Sequence, residues 1–193
     1  LAEFLQACIE GGVDIVQLRE KHLEARPLLR RAEIAMQVCQ AHGVPFVIND
    51  RPDLALALGA QGCHVGQDDT PPGIARRILD LSPEPIFLGL STHAPEELQA
   101  ALLEPVDYLS AGPVVPTPTK PGRPGTGLEY LSLAASRANK PLFVTGGVTP
   151  ETVPALVEAG ARGFVVVRWL TEAKDPFEAA RALRYAIDTA LDA

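Results

Sequence analysis

Val13-Asp14-Ile15-Val16-Gln17-Leu18-Arg19-Glu20-Lys21 begins as an apolar run and ends in a polar tail. The same change recurs where Phe46-Val47-Ile48 runs into Asn49-Asp50, and where Cys63-His64-Val65 runs into Gly66-Gln67-Asp68-Asp69. If these runs are parallel strands with helices between them, their tails converge on one rim, which then carries two cations and up to three aspartates. In a barrel of alternating strands and helices, that rim is where chemistry is done. Carboxylates bind Mg²⁺ and cations bind phosphate, so the mixture points to a metal-assisted reaction of a phosphorylated or pyrophosphorylated small molecule.

Four more short β-rich runs, Ile86–Leu90, Tyr108–Ala111, Leu142–Val144 and Phe164–Val167, bring the strand candidates to seven. None alternates cleanly, as expected of strands covered on both faces. Eight helical stretches lie around them, near Leu1–Glu10, Arg26–His42, Pro52–Leu58, Pro72–Leu81, Pro95–Leu103, Leu128–Ser136, Pro150–Ala159 and Pro176–Leu191. Pro near several starts and Gly11, Gly43, Gly59 and Gly160 after several ends punctuate them well. The pattern is one strand short of a (β/α)₈ TIM barrel. The missing member is expected upstream of Leu1, and the only Met, Met36, does not open the chain. An open doubly wound sheet is the alternative, but a barrel places every polar tail around one mouth.

A chain of 193 residues is long enough for one well-buried core, so residues 1–193 are expected to form a single domain. A formal charge of −7 argues against a nucleic-acid or anionic-membrane surface, which needs clustered Lys and Arg. Basic residues that matter must act locally, inside a site. Cys8, Cys39 and Cys63 are too widely spaced for a disulfide framework or a C-x-x-C metal site, and reduced thiols are expected. No apolar run approaches a membrane span and no signal peptide opens the sequence, which predicts a cytoplasmic protein.

Asp50 and Asp69, on consecutive strand tails, form half of a Mg²⁺ cage or else cap the helices that follow. Strand alternation puts Gln17, Arg19 and Lys21 on one face, with Leu18 and Glu20 on the other, so one tail presents an amide and two cations; a solvated charged strand end is the alternative. Gly112–Gly127 reads G-P-V-V-P-T-P-T-K-P-G-R-P-G-T-G, too rich in Pro and Gly for regular structure. A loop of that length is a lid or binding segment unless it is an exposed connector, and Thr117, Thr119 and Lys120 could close over phosphate groups. Thr145-Gly146-Gly147-Val148-Thr149-Pro150 leads into a helix and supplies bare amides for an anion, with Val167-Arg168 as the other wall. His64 is expected to be a packing residue, and no G-x-S-x-G, Walker A or G-x-G-x-x-G pattern occurs.

Six of these segments together resemble the thiamine-phosphate synthase family: Q-L-R-E-K at 17–21, I-N-D at 48–50, H-V-G-Q-D-D at 64–69, G-L-S-T-H at 89–93, G-P-V-V-P-T-P-T-K at 112–120 and G-G-V-T at 146–149. The resemblance implies a (β/α)₈ barrel that couples hydroxymethylpyrimidine diphosphate to a thiazole phosphate, releasing pyrophosphate, with Mg²⁺ as cofactor. It implies that Asp50 and Asp69 ligate the metal. Gln17, Leu18, Arg19, Glu20, Lys21, Asn49, Ser91 and Lys120 would hold the pyrimidine diphosphate, with Arg19, Lys21, Ser91 and Lys120 catalytic. Thr117, Pro118, Thr119, Gly147 and the Val167-Arg168 backbone would hold the thiazole phosphate. Arg168 departs from the small Ser usual in the family. The rival readings are the thiazole tautomerase branch of the same barrel and a non-catalytic sensor of thiamine phosphates. Oligomeric state is not legible.

Overall fold

The computed structural model describes residues 1–117 and 124–193. Seven strands, β1 (Val16–Leu18), β2 (Phe46–Asn49), β3 (Gly62–Val65), β4 (Phe87–Thr92), β5 (Tyr108–Ala111), β6 (Leu142–Thr145) and β7 (Gly163–Val165), form one parallel sheet in strict chain order. The helices are α1 (Ala2–Glu10), α2 (Ala25–Ala41), α3 (Pro52–Leu58), α4 (Pro72–Leu79), α5 (Pro95–Ala101), α6 (Gly127–Arg137), α7 (Val153–Glu158), α8 (Arg168–Thr171) and α9 (Pro176–Leu191). A doubly wound sheet reverses its strand order at a switch point. The sequential order seen here excludes it and gives the curl of a TIM barrel, with every strand end pointing to one mouth.

Burial explains the missing alternation. All residues of β2 and β3 are buried, because helices cover one face and the barrel interior the other. Helix starts follow the punctuation: Pro opens α3, α4, α5 and α9, and Gly59, in the left-handed region at φ 68°, ends α3.

Among the described residues β1 and β7 are the two ends of the hydrogen-bond ladder, and no eighth strand occurs among them. The helical layer nevertheless closes on itself, since α1 packs against α9. Gly11 lies so close that a Cβ there would sit 2.6 Å from the Phe177 carbonyl oxygen and 2.7 Å from Ala180 Cβ. Arg184 of α9 adds a clamp, its guanidinium donating to the Gly12 carbonyl at 2.7 and 3.1 Å and pairing with Asp14 at 2.6 Å.

Three expectations need correction. The first strand begins at Val16 rather than Val13, because the turn after α1 and the Arg184 clamp hold residues 11–14 as a connector. The helix expected from Pro150 begins at Val153: the Thr152 hydroxyl accepts from the Thr149 N–H and donates to the Gly147 carbonyl, which keeps residues 149–152 as a turn. The last strand stops at Val165, and the apolar residues after it turn into the unforeseen α8, whose first bonds run from Leu170 and Thr171 N–H to the Val167 carbonyl.

Gly11 has φ −78°, which any residue adopts, so Gly11→Ala adds only a steric conflict with the α9 backbone. That substitution should lower unfolding stability by about 1–3 kcal/mol. Equilibrium denaturation checks it, and an unchanged midpoint would show that α1 and α9 are not wedged together as described.

Candidate active site

The tails of β1, β2 and β3 meet at Lys21. Its ammonium lies 2.5 Å from Asp50 Oδ2 and 2.9 Å from Asp69 Oδ1, so a residue beyond β1 ties together the loops that follow β2 and β3. One level deeper, Gln17 Nε2 donates to Asn49 Oδ1 at 2.8 Å. Asp50 reaches its place by a left-handed backbone, φ 67°, with its N–H donating to the His64 carbonyl at 2.7 Å. That conformation is costly for a non-glycine residue and is kept where surrounding contacts over-determine it. Asp69 uses its other oxygen, Oδ2, to accept from the Gly66 N–H at 2.8 Å, which fixes the turn beyond β3.

The capping alternative for the two acids fails. The N-cap residues of α3 and α4 are Arg51 and Pro71, and neither helix has a side-chain cap. Both carboxylates are instead spent on the mouth. Burial is the chief cause that pushes Asp50 up to about 6, with Asp69 beside it adding to the rise and Lys21 opposing it. Asp69 feels burial too, but hydrogen bonds from Asp50, Lys21 and the Gly66 N–H outweigh it and hold this carboxyl below its ordinary value. Lys21 is raised: burial lowers it, but the bonds to both acids prevail. The pair therefore remains short of positive charge even with an ammonium between its oxygens. It offers two hard oxygen donors, and no group of three or more His, Cys, Asp or Glu suited to a metal occurs among the described residues.

The other members of the first tail divide. Leu18 packs against the core, and Glu20 is bound by Arg31 of α2, so neither side chain joins the cluster. Arg19 is exposed and joins no ion pair among the described residues.

Beyond β5 and β6 the loops lie directly on each other. The Val114 N–H donates to the Thr145 carbonyl at 2.8 Å, and a Cβ on Gly147, whose φ is 75°, would fall 2.5 Å from Val115 Cγ2. The far end of the Pro-rich loop is stitched back by Thr126 N–H to the Pro113 carbonyl and Gly127 N–H to the Val114 carbonyl. Thr117 is the last described residue before the segment 118–123; Pro118, Thr119 and Lys120 lie outside the described residues. Because β6 and β7 pair Thr145 with Val165, the Gly147 loop and the exposed Val167-Arg168 corner are neighbours on the rim.

Ser91, near the end of β4, is buried and heads a polar network that single-residue reading missed. Its Oγ lies 2.8 Å from His64 Nε2 and accepts from Ser110 Oγ at 3.2 Å, while its carbonyl accepts from Gln67 Nε2 at 2.6 Å. His64 is satisfied on its other nitrogen too, with Nδ1 2.9 Å from the Tyr108 hydroxyl. His64 is packed, as expected, but packed against a site residue. The signal that could have found it is register: His64, Gly89 and Tyr108 stand side by side on β3, β4 and β5, and Ser91 stands opposite Ser110 two residues further on.

Comparison with known proteins identifies the family. Residues 1–170 match the family described as "TMP-TENI: Thiamine monophosphate synthase". The chain is 50% identical over 180 residues to a thiamine-phosphate synthase of Thermus thermophilus, covering 93% of this chain and 85% of that protein. It is 47% identical over 182 residues to the thiamine-phosphate synthase of Acidothermus cellulolyticus, covering 93% and 84%. Among solved structures it resembles the thiamine phosphate pyrophosphorylase of Pyrococcus furiosus with a TM-score of 0.89 and 27% identity, covering 98% of this chain and 90% of that one. A 3-hexulose-6-phosphate synthase, at TM-score 0.71 and 24% identity over 96% of this chain and 92% of that one, shares the fold alone. The chain belongs to the thiamine monophosphate synthase family, transferases of thiamine biosynthesis.

Proposed function

We propose that this protein joins hydroxymethylpyrimidine diphosphate to a thiazole phosphate, giving thiamine phosphate and pyrophosphate, with Mg²⁺ held by Asp50 and Asp69. The observation that carries the reading is the single ammonium of Lys21 set between those two carboxylates at 2.5 and 2.9 Å. Mg²⁺ favours one or two carboxylates completed by water and phosphate oxygens, which is what two charge-deficient acids on adjacent rim loops offer. When bound, the ion would neutralise charge on the pyrophosphate oxygens.

The chain's own groups do the rest. Lys21, Arg19 and Lys120 provide positive charge where the departing pyrophosphate grows more negative, and the Ser91 hydroxyl donates a hydrogen bond to the same anion. Gln17 and Asn49 present amides below them, holding the pyrimidine end. Leu18 and Glu20, whose side chains are engaged elsewhere, contribute through their backbones. No enzyme nucleophile is required, because the electron-rich aminopyrimidine supports the methylene cation until the thiazole nitrogen captures it. Thr117, Pro118 and Thr119, with Gly147 and the Val167-Arg168 backbone, hold the thiazole phosphate. The Pro-rich loop keeps water from the cation. A cytoplasmic setting suits three free, buried cysteines.

Purified protein given both substrates and Mg²⁺ should release pyrophosphate and thiamine phosphate in equal amounts, and chelation of the metal should stop both. Thiazole isomerisation without pyrophosphate would favour the tautomerase reading, and tight binding without turnover a sensor.

Arg168 is exposed on the rim beside the Gly147 loop, where a guanidinium can fork onto a phosphate. Arg168→Ser should therefore weaken thiazole phosphate binding about tenfold and leave pyrimidine diphosphate binding nearly unchanged. Equal thiazole phosphate affinity in titrations of the two proteins would mean that backbone amides suffice.

A further inference from the structure

The hydrogen bonds of the polar network beneath the mouth point to one arrangement of its protons. Among the described residues, the Tyr108 hydroxyl has one hydrogen-bond partner, His64 Nδ1, at 2.9 Å. The Tyr108 side chain is half-buried, an O–H left there without an acceptor is costly, and burial pushes the phenol's pKa up, so the hydroxyl stays protonated and is assigned as the donor. A nitrogen that accepts carries no proton, which places the imidazole proton on Nε2, 2.8 Å from Ser91 Oγ. Ser91 Oγ then accepts twice, from His64 Nε2–H and from Ser110 Oγ at 3.2 Å. Its own proton is the one left to point elsewhere.

The sheet is shaped to permit this wiring. Gly89 stands between His64 and Tyr108 in the strand register, and a Cβ there would lie 2.0 Å from Tyr108 Cζ and 2.5 Å from His64 Nδ1. The missing side chain on β4 is what lets residues of β3 and β5 bond across it.

We propose that Tyr108 is a positioning residue for the coupling reaction: by donating to His64 Nδ1 it fixes the Nε2–H tautomer and turns the Ser91 hydroxyl proton out toward the diphosphate. In the opposite tautomer Nε2 carries a lone pair, Ser91 donates inward to it, and only a lone pair faces the anionic leaving group. The proposal rests on the reading of Ser91 as a donor to pyrophosphate.

The test is the tautomer of His64 and its consequence. In ¹⁵N-imidazole NMR of the substrate-free protein, assigned by loss of the signal in His64→Gln, Nε2 should be protonated and Nδ1 should show the shift of an unprotonated, hydrogen-bonded nitrogen. Tyr108→Phe keeps the ring that packs edge-on against Phe87 and Phe143, and removes only the hydroxyl. It should let the Nδ1–H tautomer appear and lower kcat about tenfold or more, with KM for the thiazole phosphate changed less than about twofold. A wild-type His64 that is Nδ1–H or doubly protonated overturns the proposal, as does a Tyr108→Phe protein with unchanged tautomer or unchanged kcat. The NMR readout needs no substrate, so loss of the coupling assignment itself would be seen separately, as absent wild-type turnover.

Discussion

The mouth of this barrel is organised by a charge imbalance. Two carboxylates on neighbouring loops share one ammonium, Lys21, and neither is engaged in capping a helix. At the surface dielectric of a protein, two like charges about 4 Å apart repel by about 4 kcal/mol, so such a pair needs a cation to hold its geometry. Burial, with Asp69 beside it, outweighs the opposing pull of Lys21 and keeps Asp50 raised to about 6. The left-handed backbone of Asp50 and the tight turn at Gly66–Asp69 are the local costs of bringing the acids together. Those costs fall at the strand ends, and the sheet beneath is regular.

Sheet register turns that local arrangement into layers. Parallel pairing without reversal puts Gln17 and Asn49 within reach of each other, His64 level with Gly89 and Tyr108, and Ser91 level with Ser110. One shifted residue would send each of these to the helical face. The interior is therefore polar near the mouth, and its hydroxyls and ring nitrogens are paired rather than merely enclosed. The outer layer supplies rigidity, with α9 wedged on α1 at Gly11 and clamped at Gly12 by Arg184.

Much of this was legible in the sequence, because strands buried on both faces leave uninterrupted apolar runs and their polar tails mark the functional end. The acids Asp50 and Asp69 and the cation Lys21 were found that way, from position relative to a run. What escaped depends on three-dimensional neighbours. Val166 and Val167 are β-branched and extend an apolar run, yet the chain leaves the sheet at Val165 and closes a helical turn on the Val167 carbonyl. Glu20 shares the functional tail, but Arg31, eleven residues on, captures it. His64 and Tyr108 are separated by 44 residues, and no local pattern says that a glycine between them lets them meet.

The account's central claim is that the Lys21, Asp50 and Asp69 cluster is where metal and pyrophosphate are held. The most direct measurement is calorimetric titration of inorganic pyrophosphate, with and without Mg²⁺, into the wild-type protein and into Asp50→Asn and Asp69→Asn. The account predicts binding that depends on Mg²⁺ in the wild type and falls about tenfold or more in each variant, with unfolding midpoints near that of the parent. Pyrophosphate affinity that ignores Mg²⁺, or that survives both substitutions, would contradict it.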